Sequence, residues 1–301
     1  MQSIRVRAPA SSANLGSAFD AAAIALALYN EVTATPADQD TIEVMGEGAD
    51  ALRSGAPNLL LQALDRFARE TGWRRPPLFL RLHNRIPFGR GLGSSAAAIV
   101  AGIRLGEALR GTALQAEQRL ELAADLEGHA DNTTAALLGG FTVAVPTAMG
   151  LEALRLDVPP NLRFAVFVPE YVVSTEAARA VLPQHISRAD AIYNAGRAAL
   201  LVGALATGKL HLLGVAMDDR LHQPYRMSLY QAMQPVLDAA RAAGAYGAAV
   251  SGAGPSALAP VAAERAENVA TAMLTAARSH RVAGQALVLS PDAGGAGVTA
   301  A

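Results

Sequence analysis

Residues Ile86 to Gly102 read IPFGRGLGSSAAAIVAG, and the reading of this stretch decides the fold. Gly89, Gly91 and Gly93 permit left-handed torsions and a close backbone approach. Ser94 and Ser95 stand at the expected helix cap, and Ala96 to Ala101 form a small, helix-compatible run that opens a helix expected to reach about Leu109. A glycine loop feeding a helix N-terminus aims several amide N–H groups, and the positive end of the helix dipole, at one place. Such a place attracts an anion, above all phosphate. The alternative is a purely structural turn, and the dinucleotide fingerprint G-x-G-x-x-G is not met, because these glycines are spaced by two. Two hydroxyls at the cap favour the phosphate reading, since each can reach a phosphate oxygen or its Mg²⁺.

Outward from the loop, 301 residues suffice for two domains sharing a cleft, and 51% hydrophobic against 17% charged residues supports a buried core. A net charge of −1 gives no footprint for nucleic acid or an acidic membrane. Lys209 is the single lysine among 25 basic residues, so a cationic grip on an anion falls to arginine, backbone amides or a metal. Without cysteine there is no disulfide, thiolate metal site or cysteine nucleophile. The start of the chain is too polar for a signal peptide, and no apolar run reaches the ~18–20 residues of a membrane span. A cytoplasmic protein is expected.

Upstream, Ser3 to Ala8 alternates as a strand, and Ser11, Ser12, Asn14, Gly16 and Ser17 read as a polar turn before an apolar stretch from Ala21 to Ala34. Asn14 and Asp20 are either turn formers or ligands. Strands are expected over Thr41–Gly46 and Leu78–Leu82, and a helix over Asn58–Thr71. Downstream, a helix over about Leu114–Glu127 ends in ELAADLEGHADN. This crowd of Glu121, Glu127, His129, Asp131 and Asn132 is either a solvated helix end or a source of oxygen ligands for Mg²⁺ beside the phosphates. After the FTVAV strand, charge and pattern shift near Leu151 to Pro160, and DVPPNL (157–162) reads as a short linker, dividing the chain into domains 1–157 and 158–301.

In the second half, Thr175 and Arg179 share a helix face one turn apart. Gly203 to Lys209, GALATGK, has Walker A spacing but continues a helical pattern, and Leu210 replaces the required hydroxyl residue, so it is rejected as a phosphate loop. Gly252 and Gly254 sit between two strands, either approaching the phosphate site or simply making a tight connection. The tail after Ser290 reads as frayed.

Four stretches in order, RAPASSANLGSAFD, IPFGRGLGSSAA, EGHADN and VSGAGPSALA, resemble the GHMP kinases and, within them, the homoserine kinase family; DRLHQPYR and STEAAR add to the match. The resemblance implies an α+β fold of two domains, the N-terminal like ribosomal protein S5 domain 2 and the C-terminal ferredoxin-like. It implies ATP-dependent phosphorylation of the L-homoserine hydroxyl, a step in threonine biosynthesis. The loop from Pro87 to Ala97 (Pro87, Gly89, Arg90, Gly91, Leu92, Gly93, Ser94, Ser95, Ala96 and Ala97) would then hold the ATP triphosphate, with Asn58 near the adenine. Ser95 and Glu121 would hold Mg²⁺, Asn132 would orient the hydroxyl, and Asn14, Asp20, His129, Thr175, Arg179 and Arg226 would line the amino-acid pocket. A homodimer is implied by resemblance alone.

Elementary chemistry agrees, because Asp20 can meet an ammonium, and Arg179 and Arg226 a carboxylate. Departures from the family pattern are Ser17 and Ala18 after LG, and Ala130 for a proline in EGHADN. A kinase of the mevalonate type and a non-catalytic nucleotide-binding relative are the competing readings.

Overall fold

The structure, a computed structural model, describes residues 3–300. Met1, Gln2 and Ala301, the ends of the two expected domains, lie outside them. The first half runs β1 (Ile4–Asn14), β2 (Ala18–Pro36), β3 (Thr41–Gly46), α1 (Ala49–Arg53), α2 (Leu59–Glu70), β4 (Leu78–Asn84) and α3 (Ser94–Arg110). It continues through α4 (Ala116–Glu127), α5 (Asp131–Leu138), β5 (Phe141–Thr147) and β6 (Gly150–Leu156). The second half begins with β7 (Leu162–Pro169), α6 (Thr175–Ala180), α7 (Arg188–Thr207), α8 (Leu213–Ala216), α9 (Gln223–Arg226) and α10 (Met233–Ala242). It ends with β8 (Ala249–Val250), β9 (Ala257–Ala262), α11 (Ala266–Ser279), β10 (Gly284–Leu289) and β11 (Gly297–Ala300).

These elements make two sheets. In the first, the order is β11-β1-β2-β4-β3, with the β5–β6 hairpin branching from β2. Branching is possible because β2 spans 19 residues: its start pairs β5 and its end pairs β4. Helices α2 and α3 pack closely on each other. At Gly102 and Gly106 a Cβ would overlap the Leu60 carbonyl and the Phe67 ring, so glycine is what allows this approach. The second sheet is antiparallel, in the order β10-β7-β9-β8. Alternate β7 residues serve opposite faces: Ala165 and Phe167 meet the cluster of α10 and α11, while Phe164, Val166 and Val168 join the main core. The chain is thus an α+β protein with two sheet-and-helix layers around a common seam.

Several expectations change. Ser11 and Ser12 are not in a turn; β1 continues through them, fully buried, to Asn14. Leu151–Leu156, within the stretch where the pattern shifts, is a strand that completes the hairpin with β5, and DVPPNL follows it as the connection to β7. The tail after Ser290 is not frayed. It returns to the first sheet, where β11 pairs β1, and Asp292 accepts from Tyr29 Oη at 2.7 Å and from the Gly295 amide at 2.6 Å. Its alternation is short and glycine-rich, so no pattern announced the pairing. GALATGK does run on as the end of α7, closing at Gly208.

Candidate active site

A cavity of about 350 Å³ opens between the two sheets, and its floor is the glycine loop. Gly89, Gly91 and Gly93 have φ of 68°, 72° and 68°, which turn successive peptides inward. Gly93 is itself the N-cap of α3, so Ser94 and Ser95 occupy the first helical turn and do not cap it. Their N–H groups and that of Ala96 lack a carbonyl one turn back. Ala97 differs, because its N–H donates to the Gly93 carbonyl at 2.9 Å and its side chain is buried, so it offers nothing to a phosphate. Pro87 is buried before the loop, whose entry is fixed by Asn30: its Oδ1 accepts from the Arg85 and Ile86 amides, both at 3.0 Å. Arg90 does not face the cavity centre with a free guanidinium. It donates to the carbonyls of Phe88, Pro169 and Glu170 and so ties the loop to the end of β7.

The second glycine turn does approach the first. Ser251 Oγ donates to the Gly91 carbonyl at 2.6 Å, and the Gly252 amide to the Ala13 carbonyl at 3.1 Å. A Cβ on Gly91 would overlap the Ser251 carbonyl. Gly252, Ala253 and Gly254 line the cavity, so the turn is both a tight connection and a wall of the site.

The carboxylate beside the loop is Glu127, and this corrects the expectation for Glu121. Ser95 Oγ donates to Glu127 Oε1 at 2.5 Å. Glu121 lies six residues earlier on α4, about 120° around the helix, at a separate groove beside Gly150 of the β5–β6 hairpin. The EGHADN stretch begins with Glu127, so the helical period could have chosen between the two. Burial pushes the Glu127 carboxyl above the usual carboxylate range, with the Ser95 hydrogen bond opposing. Burial also raises the neighbouring Asp131 carboxyl, whose Oδ1 accepts from the Asn132 amide at 2.7 Å. Among the described residues no three His, Asp or Glu side chains converge as a complete metal site. A hydroxyl and a carboxylate of hard oxygen character do fit a cation whose other ligands come from phosphate.

At the far end lie the amino-acid candidates. Asp20 and Arg179 are paired with each other through two bonds, NH1 to Oδ2 at 3.0 Å and NH2 to Oδ1 at 2.9 Å. Asp20 has φ of 54° and is held there by Asn14, whose Oδ1 accepts from the Asp20 amide and whose Nδ2 donates to the Gly252 carbonyl. Asn14 therefore sets the backbone around Asp20, while still lining the cavity. Arg226 is 1% exposed, and its guanidinium donates to the Ala178 and Gly252 carbonyls and faces His222 Nδ1. No carboxylate pairs with it among the described residues, and burial lowers its pKa, so it is a buried cation in want of an anion. His129 has a buried Nδ1 with no hydrogen-bond partner, 3.7 Å from Asp131 Oδ1. Asn132 Oδ1 accepts from Ser11 Oγ at 2.9 Å, and Thr175 opens α6 behind the Ser174 cap; both line the cavity. Asn58 caps α2 and lines an adjoining apolar recess with Leu59, Leu60, Phe88 and Ala98, which shares Ser94 and Ser95 with the main cavity.

Comparison with known proteins accords with this arrangement. The family models "GHMP kinases N terminal domain" and "GHMP kinases C terminal" match residues 58–140 and 201–278, and the chain belongs to the GHMP kinases. It is 42% identical to a homoserine kinase of Desulfitobacterium hafniense over 98% of this chain and 99% of that one. A homoserine kinase of Synechocystis is 40% identical over 99% of each. The solved structure of the Cytophaga hutchinsonii homoserine kinase superposes with a TM-score of 0.89 at 30% identity, covering 99% of this chain and 98% of that one. Within the GHMP kinases, the chain is a member of the homoserine kinase family, and its enzyme class is ATP-dependent kinase. No helix among the described residues is long and apolar enough to cross a membrane.

Proposed function

We propose that the chain phosphorylates the side-chain hydroxyl of L-homoserine with ATP, giving O-phospho-L-homoserine. The observation that carries the reading is a single cavity with two chemically different ends. One end is the amide-rich glycine loop, and the other holds Asp20, Arg179 and the anion-seeking Arg226. An α-amino acid presents an ammonium and a carboxylate a few ångströms apart, matching that pairing of charges.

In this reading the amides of Ser94, Ser95 and Ala96 bind the β- and γ-phosphates, and the apolar recess beside Asn58 takes the adenine. Ser95 and Glu127 would hold Mg²⁺, which when bound neutralises charge developing on the transferred group. Arg226 and Arg179 orient the substrate carboxylate, and Asp20 its ammonium. Asn132, whose Oδ1 already faces a hydroxyl at Ser11, directs the reacting hydroxyl toward the phosphate. Phosphoryl transfer asks mainly for this positioning and neutralisation. A coupled ADP-release assay with ATP, Mg²⁺ and L-homoserine tests the reading, with L-serine and mevalonate as controls. Turnover with mevalonate in preference to L-homoserine, or ATP binding without turnover of any substrate, overturns it.

A further inference from the structure

A fully buried titratable side chain to which the site gives no role is His222, in the polar segment that precedes Arg226. Its neighbours define its state. Nε2 lies 2.8 Å from the Gly16 carbonyl, which can only accept, so Nε2 carries the proton. Nδ1 lies 3.3 Å from Arg226 NH1, which can only donate, so Nδ1 is a bare acceptor. Burial holds the ring below the ordinary histidine pKa, in keeping with this neutral tautomer. The ring also stacks on Phe19, with centroids 4.8 Å apart. Asp219 Oδ2 stands 3.5 Å from Nε2, but its oxygens accept from the Leu221, His222 and Gln223 amides.

His222 therefore joins two parts of the pocket that arrive from different halves of the chain. Gly16 belongs to the β1–β2 turn, which presents Asn14 and Asp20. Arg226 belongs to α9, in the second half of the chain. The turn seats tightly in this socket. A Cβ on Gly16 would overlap the Met217 carbonyl, Ser17 Oγ donates to the Ala216 carbonyl at 2.6 Å, and Asn194 Nδ2 donates to the Ser17 carbonyl at 2.7 Å.

We propose that His222 is a positioning residue for the amino-acid substrate: its ring relays the place of the β1–β2 turn to the Arg226 guanidinium, fixing the distance between the ammonium and carboxylate receivers. The inference rests on the homoserine reading above. A ring that only filled space would be replaceable by another ring, whereas a relay needs an acceptor toward Arg226 and a donor toward Gly16.

The test compares His222→Phe, which keeps an aromatic ring against Phe19, with His222→Gln, which keeps a donor and an acceptor. KM and kcat are measured for L-homoserine and for ATP, beside the thermal midpoint. The expected result for His222→Phe is a rise in KM for L-homoserine of roughly tenfold, the size of a lost hydrogen bond to a charged group, with KM for ATP within about twofold of wild type. His222→Gln recovers most of the loss. An unchanged homoserine KM in folded His222→Phe overturns the proposal, as does an equal rise in both KM values. If His222→Phe does not fold, His222→Gln and Asn194→Ala decide: wild-type behaviour of the first with a raised homoserine KM in the second supports the relay, and any other pairing overturns it. Wild-type enzyme inactive on L-homoserine in the same assay would instead defeat the functional reading itself.

Discussion

The carboxylate of Asp20 and the guanidinium of Arg179 grip each other through two near-parallel hydrogen bonds of 3.0 and 2.9 Å, across 159 residues of sequence. Each is a group the substrate would use, so a bound zwitterion must part them and substitute its own charges. Arg226 has no carboxylate partner among the described residues and is held by two backbone carbonyls and His222 Nδ1.

This pair predicts a separation of binding from stability. Both side chains are more than a third exposed, so screening leaves the pair worth about 0–1 kcal/mol to folding. Arg179→Ala should therefore shift the thermal midpoint by no more than a few degrees. In the same protein the KM for L-homoserine should rise by on the order of tenfold or more. Midpoints from calorimetry beside steady-state kinetics check both halves. A large loss of stability with an unchanged KM would show that the pair is a structural clasp.

Glu127 and Glu121 offer an internal control on one helix. Glu127→Gln keeps an acceptor for Ser95 but removes the negative charge beside the glycine loop, and kcat should fall on the order of a hundredfold. Glu121→Gln, at the separate groove near Gly150, should stay within about twofold of wild type. The readout is ADP release at saturating ATP and varied Mg²⁺. Equal activity in the two variants would remove Glu127 from the reacting centre.

The same carboxylate shapes the response to pH. Burial raises the folded-state pKa of Glu127 above its ordinary 4.5, and that of Asp131 above 3.8. The folded chain thus holds these protons more tightly than the unfolded chain. Stability conferred by them is present below the unfolded values and is lost as pH rises through the raised folded values. Glu127→Gln has no such proton to lose. Without nucleotide or Mg²⁺, its thermal midpoint should exceed that of wild type at pH 8, and the gap should close as pH falls toward 4. A midpoint at pH 8 no higher than that of wild type would contradict the idea that charge burial opposes folding at this position.

How much of this was legible in the sequence varied with the range of the interaction. The α2 helix, the strand Thr41–Gly46 and the glycine loop that feeds a helix are local patterns, and they fall where the residues placed them. Ser94 and Ser95 looked like caps because Ser favours that position, yet Gly93 in the left-handed region took it and released both hydroxyls for the cavity. The acidic crowd was visible as a crowd. The helical period separates Glu121 from Glu127 on α4, and the start of EGHADN at Glu127 was the one local pointer to which of them faces Ser95. Asn30 carried no signal and His222 stood out only as part of a polar segment, because their partners lie 55 and 206 residues away. The pairing of Asp20 with Arg179 was hidden for the same reason: composition showed an acid and a base fit for a zwitterion, not that they would meet each other first.

The returning strand β11 has a consequence for biosynthesis. A ribosome delivers the whole of the second sheet before it delivers Gly297–Ala300, so the flank of β1 stays open during most of translation. The amino-terminal half cannot reach its finished form as a nascent chain emerges. Closure of the earliest strand's flank therefore waits for residues made after every other strand of both sheets.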